Sequence, residues 1–205
     1  MTENKQYCRT HRAIQKAFLS LLSRKSFEDI RIQDILDTAP VSRATFYKHF
    51  RDKYEVAEKL QGELCLTWKE QHAAWAQAKA EDLPVLIENY VTRYRDMARP
   101  MLRVRTDQVD LPAALDHSSR EYYLAISQSP TKEMEARIYG AAVSAFLLAM
   151  FDGSMELPME PAHNFMLPVA LRLLGLPEDP EITNLIEEQY RQKDVAFYYR
   201  YKNTP

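Results

Sequence analysis

A single proline sets the strongest limit on what this chain can fold into. Residues 30–53 read IRIQDILDTAPVSRATFYKHFRDK, and Pro40 lies between two short stretches with helical apolar spacing. Proline has no amide hydrogen, and it pushes the residue before it, Ala39, away from helical angles. One helix must therefore stop and another start within a few residues. Upstream, Arg31 to Thr38 places Ile32, Ile35 and Leu36 on one inner face. Downstream, Ser42 is an N-cap for a helix from Arg43 to Phe50, because its hydroxyl can accept an early backbone N–H. Phe46 and Phe50 stand four residues apart, so they share a face and decide which side turns inward. Val41, Phe46 and Phe50 are expected to pack on Ile32, Ile35, Leu36 and the preceding helix. Thr45, Tyr47 and Lys48 then point away from that core, and Arg43 lies near the helix start. Two short helices joined by a tight turn form the helix-turn-helix plan.

The flanking sequence is helical as well. From about Lys5 to Arg24, Ile14, Phe18, Leu21 and Leu22 form one stripe. Asp52 caps a long run to about Lys79. Further helices are expected over Leu83–Arg99, closed by Pro100, then Pro112–Ser127, closed by Pro130, and Glu133–Asp152, closed by Gly153. Pro161–Leu174, closed by Gly175, and Pro177 to about Lys202 complete the series. With 4 glycines in 205 residues and no strand pattern, the expected fold class is all-α. An N-terminal three-helix helix-turn-helix domain, residues 1–53, is followed by a helical domain, residues 54–205.

Charge is distributed unevenly. Residues 1–60 hold 12 Lys and Arg against 8 Asp and Glu, a balance of +4, while the remainder stands at −6. A basic end on an acidic body suits a chain that offers one end to phosphates. Two cysteines, Cys8 and Cys65, make no metal pattern and no disulfide scaffold, which fits a reducing cytoplasm. The polar N-terminus has no apolar signal core, and the longest apolar-rich stretch, Ala141 to Phe151, is shorter than a membrane span. Gly-rich phosphate loops, GxSxG, HExxH and paired metal motifs are absent, so neither an enzyme nor a bound cofactor or metal is expected.

Val41-Ser42-Arg43-Ala44-Thr45-Phe46-Tyr47-Lys48-His49-Phe50, followed by Asp52-Lys53, resembles the signature of the TetR family of transcription regulators. Phe27 and Ile32-Gln33-Asp34-Ile35 resemble that family too. The likeness covers about the first 60 residues closely and the rest only in helix count and length. It implies that Thr45, Tyr47 and Lys48 contact double-stranded DNA, that His49 and Lys53 touch phosphates, and that Arg43 and Ser42 contribute to sequence choice. His49 and Lys53 also have ordinary structural readings, as a packed ring and a solvated charge at a helix start. The family usually carries glycine where Pro40 stands, so the turn is expected to be reshaped.

The resemblance further implies a cytoplasmic homodimer, a repressor released when an effector binds the C-terminal domain. An adaptor or coactivator answering to a protein partner is the alternative. Ala141, Ala142, Ala145, Leu148 and Ala149 are candidates for the dimer interface, since small residues let helices approach closely, although a central core helix has the same composition. Trp68, Trp75, Tyr90, Tyr94, Met97, Tyr122, Tyr123 and Phe146 are candidates for an effector pocket, and the same residues suit ordinary core. Arg93, Arg95, Arg99, Arg103 and Arg105 read either as a receiver for an anion or as a solvated face.

Overall fold

Apolar periodicity and capping residues place seven helices in the computed structural model, which describes residues 2–75 and 83–155. They are α1 (Thr2–Leu22), α2 (Ile32–Thr38), α3 (Arg43–His49), α4 (Lys53–Trp75), α5 (Leu83–Met101), α6 (Leu111–Ile126) and α7 (Lys132–Asp152). Among the described residues the extended pairing is one isolated antiparallel bridge, Arg105 with Asp110. The described residues are otherwise all-α, with a helix-turn-helix at the N-terminal end. The expected helices Pro161–Leu174 and Pro177 to Lys202 lie outside the described residues, as does the end of the run toward Lys79.

Local chemistry explains most of the boundaries. Asp34 accepts the backbone N–H of Arg31 at 2.9 Å and the Lys25 ammonium at 2.9 Å, which holds the start of α2. These two donors, the backbone one foremost, hold its carboxyl below the usual range. Ser42 Oγ accepts from Thr45 N at 3.1 Å, and Asp52 Oδ1 from Glu55 N at 2.9 Å, so both expected N-caps form. Asp110 does the same for α6, accepting from Ala113 N at 3.1 Å. Gly153 ends α7 at φ 85°, the left-handed conformation that glycine adopts freely. Pro100 does not close α5: the helix runs one residue further, to Met101. A proline in the last turn removes one backbone bond, and Leu102 N still reaches Ala98 O at 3.0 Å. Pro40 has φ 22°, well outside the usual proline range near −65°. The turn between α2 and α3 thus takes the sign of φ that glycine supplies without strain.

The chain divides into two compact units, Met1–Thr67 with Tyr94–Leu115, and Trp68–Arg93 with the chain from Asp116 onward. In the first, Ile14, Phe18 and Leu22 of α1 are buried with Phe27, Ile35, Phe46, Phe50, Val56 and Leu60. Val41 and Ile32, expected inside, are half-buried. Arg103 donates to Leu22 O and Ser23 O, each at 3.4 Å. It thereby sets a cation at the C-terminal end of α1, where the helix dipole favours one.

In the second unit Trp68 is buried, donates Nε1–H to Ser119 Oγ at 2.9 Å and lies 5.6 Å from the Tyr90 ring, which is 6.1 Å from Phe151. Tyr123 is buried and donates to Glu135 at 2.7 Å. α7 meets α6 closely at Gly140, where an added Cβ would lie 2.8 Å from the Asp116 carbonyl oxygen and against the Arg120 stem. α7 is also long and apolar enough to cross a membrane by length and composition. A core helix passes the same test, and Ala136, Gly140, Ser144, Leu147, Met150 and Phe151 form a buried face on it.

Candidate nucleic-acid interface

α3 presents one apolar and one polar face. Phe46 and Phe50 are fully buried, 6.0 Å apart, and anchor the helix and its C-cap to the core. Ser42, Arg43, Tyr47 and Lys48 are exposed and Thr45 is half-buried. Tyr47 keeps 49% of its surface open while its ring meets Phe46 edge-on at 5.5 Å. A large aromatic left half in water by a buried neighbour offers a phenol and a flat face to a partner. Thr45 Oγ1 and Ser42 Oγ share a hydrogen bond of 2.8 Å, so the cap also orients the Thr45 hydroxyl. Arg43 Nη2 donates to Gln33 Oε1 of α2 at 3.0 Å, and Gln33 Nε2 donates to Asp37 Oδ1 at 2.7 Å. Hydroxyl, phenol, ammonium and guanidinium on one short helix can reach both base edges and phosphates.

His49 has a different setting. Its ring stacks on Tyr7 of α1 at 4.1 Å and lies 5.7 Å from His11, which stacks on Phe50 at 4.3 Å. The Nδ1 atoms of both histidines are buried without a hydrogen-bond partner among the described residues. Burial lowers the pKa of each, and for His11 the neighbouring charges of His49 and Lys59 lower it further while Glu55 opposes them. The four rings fasten the C-terminal end of α3 to the first turns of α1.

Lys53 is also committed within the chain. Its ammonium donates to Phe27 O at 2.7 Å, Glu28 O at 2.9 Å and Ile30 O at 3.0 Å, and it sits 4.7 Å above the Phe27 ring. An ammonium has three protons, and all three are used. The resemblance implies a phosphate contact for this residue. In the structure it ties the start of α4 to the turn before α2.

These contacts involve residues that sequence reasoning passed over. Gln33 and Asp37 stand at i and i+4 on the polar side of α2, and Tyr7 and His11 extend the Ile14–Phe18 stripe of α1 by two turns. That periodicity was available to find the ring cluster.

Residues 14–60 match the family model described as bacterial regulatory proteins, tetR family. This N-terminal segment is similar to the TetR family. The matched segment contains the whole of α2 and α3, the Ser42 and Asp52 caps and Lys53. Over 58 residues the chain is 38% identical to an uncharacterized HTH-type transcriptional regulator, YxbF, of Bacillus subtilis. That stretch covers 28% of this chain and 15% of the length of that relative. The TetR likeness is thus carried by the helix-turn-helix segment, and Tyr7 and His11 lie just ahead of the matched residues.

The other sequence candidates lie on other helices. Trp68, Tyr90 and Tyr123 are buried, and Tyr122 and Phe146 half-buried, in the second unit, whereas Tyr94 and Met97 are half-buried in the first. The side chain of Trp75 lies outside the described residues. On α7, Ala141, Ala142 and Ala145 are exposed and Leu148 and Ala149 half-buried, on a stripe with Met134 and Ile138, which keep 60% and 64% of their surface open.

Proposed function

We propose that this protein is a TetR-family, sequence-specific, DNA-binding transcription regulator that works in the cytoplasm as a homodimer, a repressor released when an effector binds its C-terminal part. The observation that carries the reading is the outer face of α3. Arg43, Tyr47 and Lys48 stay exposed on a helix that Phe46 and Phe50 hold against the core. A helix held that way and lined with donors suits the major groove, with its N-terminal residues at base edges. Residues 1–53 supply the reading head and residues 54–205 the regulatory and dimerising part. The small-residue stripe of α7, Ala141, Ala142, Ala145, Leu148 and Ala149, is the proposed dimer face. Effector binding would favour one arrangement of the two reading helices over another, shifting the population away from the DNA-competent state.

The test is selection of bound duplexes from a random pool at fixed salt. A dimer that reads two half-sites should yield an inverted repeat whose halves lie about 10 base pairs apart or a multiple of that. An unsymmetrical site, or no enrichment, would count against the reading. A second reading, an adaptor whose C-terminal part answers to a protein, draws on the exposed Met134 and Ile138 of the same stripe. Sedimentation separates the two. A dimer weakened by Ala145→Glu supports self-association, and a monomer at micromolar concentration leaves the stripe to another protein.

A further inference from the structure

Asp37, Gln33 and Arg43 form a hydrogen-bonded series across the two helices of the reading head. Gln33 Nε2 donates to Asp37 Oδ1 one turn along α2, at 2.7 Å, and Gln33 Oε1 accepts from Arg43 Nη2 on α3, at 3.0 Å. The chemistry fixes the order. A guanidinium only donates and an ionised carboxylate only accepts, so the amide between them has one orientation that satisfies both. The cap interactions of Ser42 and Thr45 use other atoms, so this series is separate from the folding of α3.

We infer that Gln33, held by Asp37, is a positioning residue that sets which base Arg43 reads. The inference rests on the DNA-reading function proposed above. A long arginine on an open surface has many rotamers, and ordering it against a base edge costs conformational entropy. The hydrogen bond from Gln33 removes part of that freedom before DNA arrives and limits where the guanidinium fork can reach. Four of its five N–H groups stay available, enough for the two-pronged contact that guanine O6 and N7 accept. Asp37 acts one step back, by keeping the Gln33 carbonyl turned toward α3.

The experiment selects bound duplexes from one random pool with the wild-type chain, Gln33→Ala, Asp37→Ala, Arg43→Ala and the Gln33→Ala/Arg43→Ala double variant. Arg43→Ala should relax base choice at one position per half-site by about tenfold or more. Gln33→Ala should relax the same position, Asp37→Ala the same position by less, and the double variant no further than Arg43→Ala alone. Gln33→Met, which keeps the side-chain length but offers no amide oxygen, should behave as Gln33→Ala and guards against a loss of helix in the alanine variant. A Gln33→Ala or Gln33→Met consensus identical to wild type would overturn the inference. So would relaxation at a position that Arg43→Ala leaves intact, or additive effects in the double variant. A wild-type chain that enriches no sequence would overturn the DNA-reading proposal as well. A clear wild-type consensus with an unaffected Gln33→Ala would remove the positioning role alone.

Discussion

Three carbonyl oxygens within 3.0 Å make Lys53 a structural cation. Hydrogen bonds to a charged group contribute about 1.5–3 kcal/mol, and removing the ammonium leaves three carbonyls without that donor. Lys53→Ala should therefore lower the stability of the fold by roughly that amount, read as a lower denaturant midpoint. Lys48→Ala, on the exposed face, should leave the midpoint within about 0.5 kcal/mol and weaken duplex binding instead. An unchanged midpoint for Lys53→Ala, with weaker duplex binding, would favour the phosphate role that the family pattern implies. The histidine pair gives a second residue-scale prediction. Burial, aided for His11 by the charges of His49 and Lys59, holds both imidazoles below their ordinary value. As pH falls through about 6.5 the unfolded chain binds protons that the folded chain refuses, so stability falls. It is full above that value and is lost as pH drops through the depressed folded pKa values. The carboxylates of Asp34 and Glu55, held low first by the backbone N–H groups of Arg31 and Arg51, lose their contribution only below about pH 4. Thermal midpoints should thus decline between about pH 7 and pH 5, and His49→Phe, which keeps a ring against Tyr7 but binds no proton, should flatten the decline. An equally steep decline in His49→Phe would contradict this account of the ring cluster.

At the scale of elements, α7 is divided by which of its small residues meet a neighbour. Gly140 is enclosed by α6, while Ala141, Ala142 and Ala145 look outward. Helix propensity alone would favour Gly140→Ala by about 1 kcal/mol. Overpacking costs about 1–3 kcal/mol, and the nearest rigid atom here is a backbone oxygen, which cannot rotate aside as the Arg120 stem can. Gly140→Ala should lower the thermal midpoint, and a raised midpoint would mean that α6 moves away without loss. This is also where sequence legibility ended. The helix-turn-helix could be read because its signals are local: Ser42 and Asp52 as caps, Pro40 as a break, Phe46 and Phe50 one turn apart. α7 is apolar on most sides, so periodicity cannot separate a face that meets α6 from one that does not. The settings of Lys53 and Arg103 were equally hidden, because their carbonyl partners lie 23–26 and 80–81 residues away in the chain.

At the scale of the whole molecule, the basic N-terminal end and the acidic remainder divide the labour that the helix-turn-helix suggests. Phosphate attraction gives any basic surface some duplex affinity, and that affinity falls steeply with salt. Discrimination between sequences needs side chains at base edges, and here it is assigned to α3. The direct measurement is a binding titration of the wild-type chain and of Thr45→Ala/Tyr47→Ala on the selected duplex and on a scrambled one, at about 50 mM and about 200 mM salt. The wild type should prefer its selected duplex by about 10³-fold or more at the higher salt, and the double variant should lose most of that preference, keeping only the part that Arg43 supplies, about tenfold per half-site. A wild-type chain that ignores both duplexes at the lower salt, or a double variant that keeps the preference, would contradict the assignment of DNA reading to this helix.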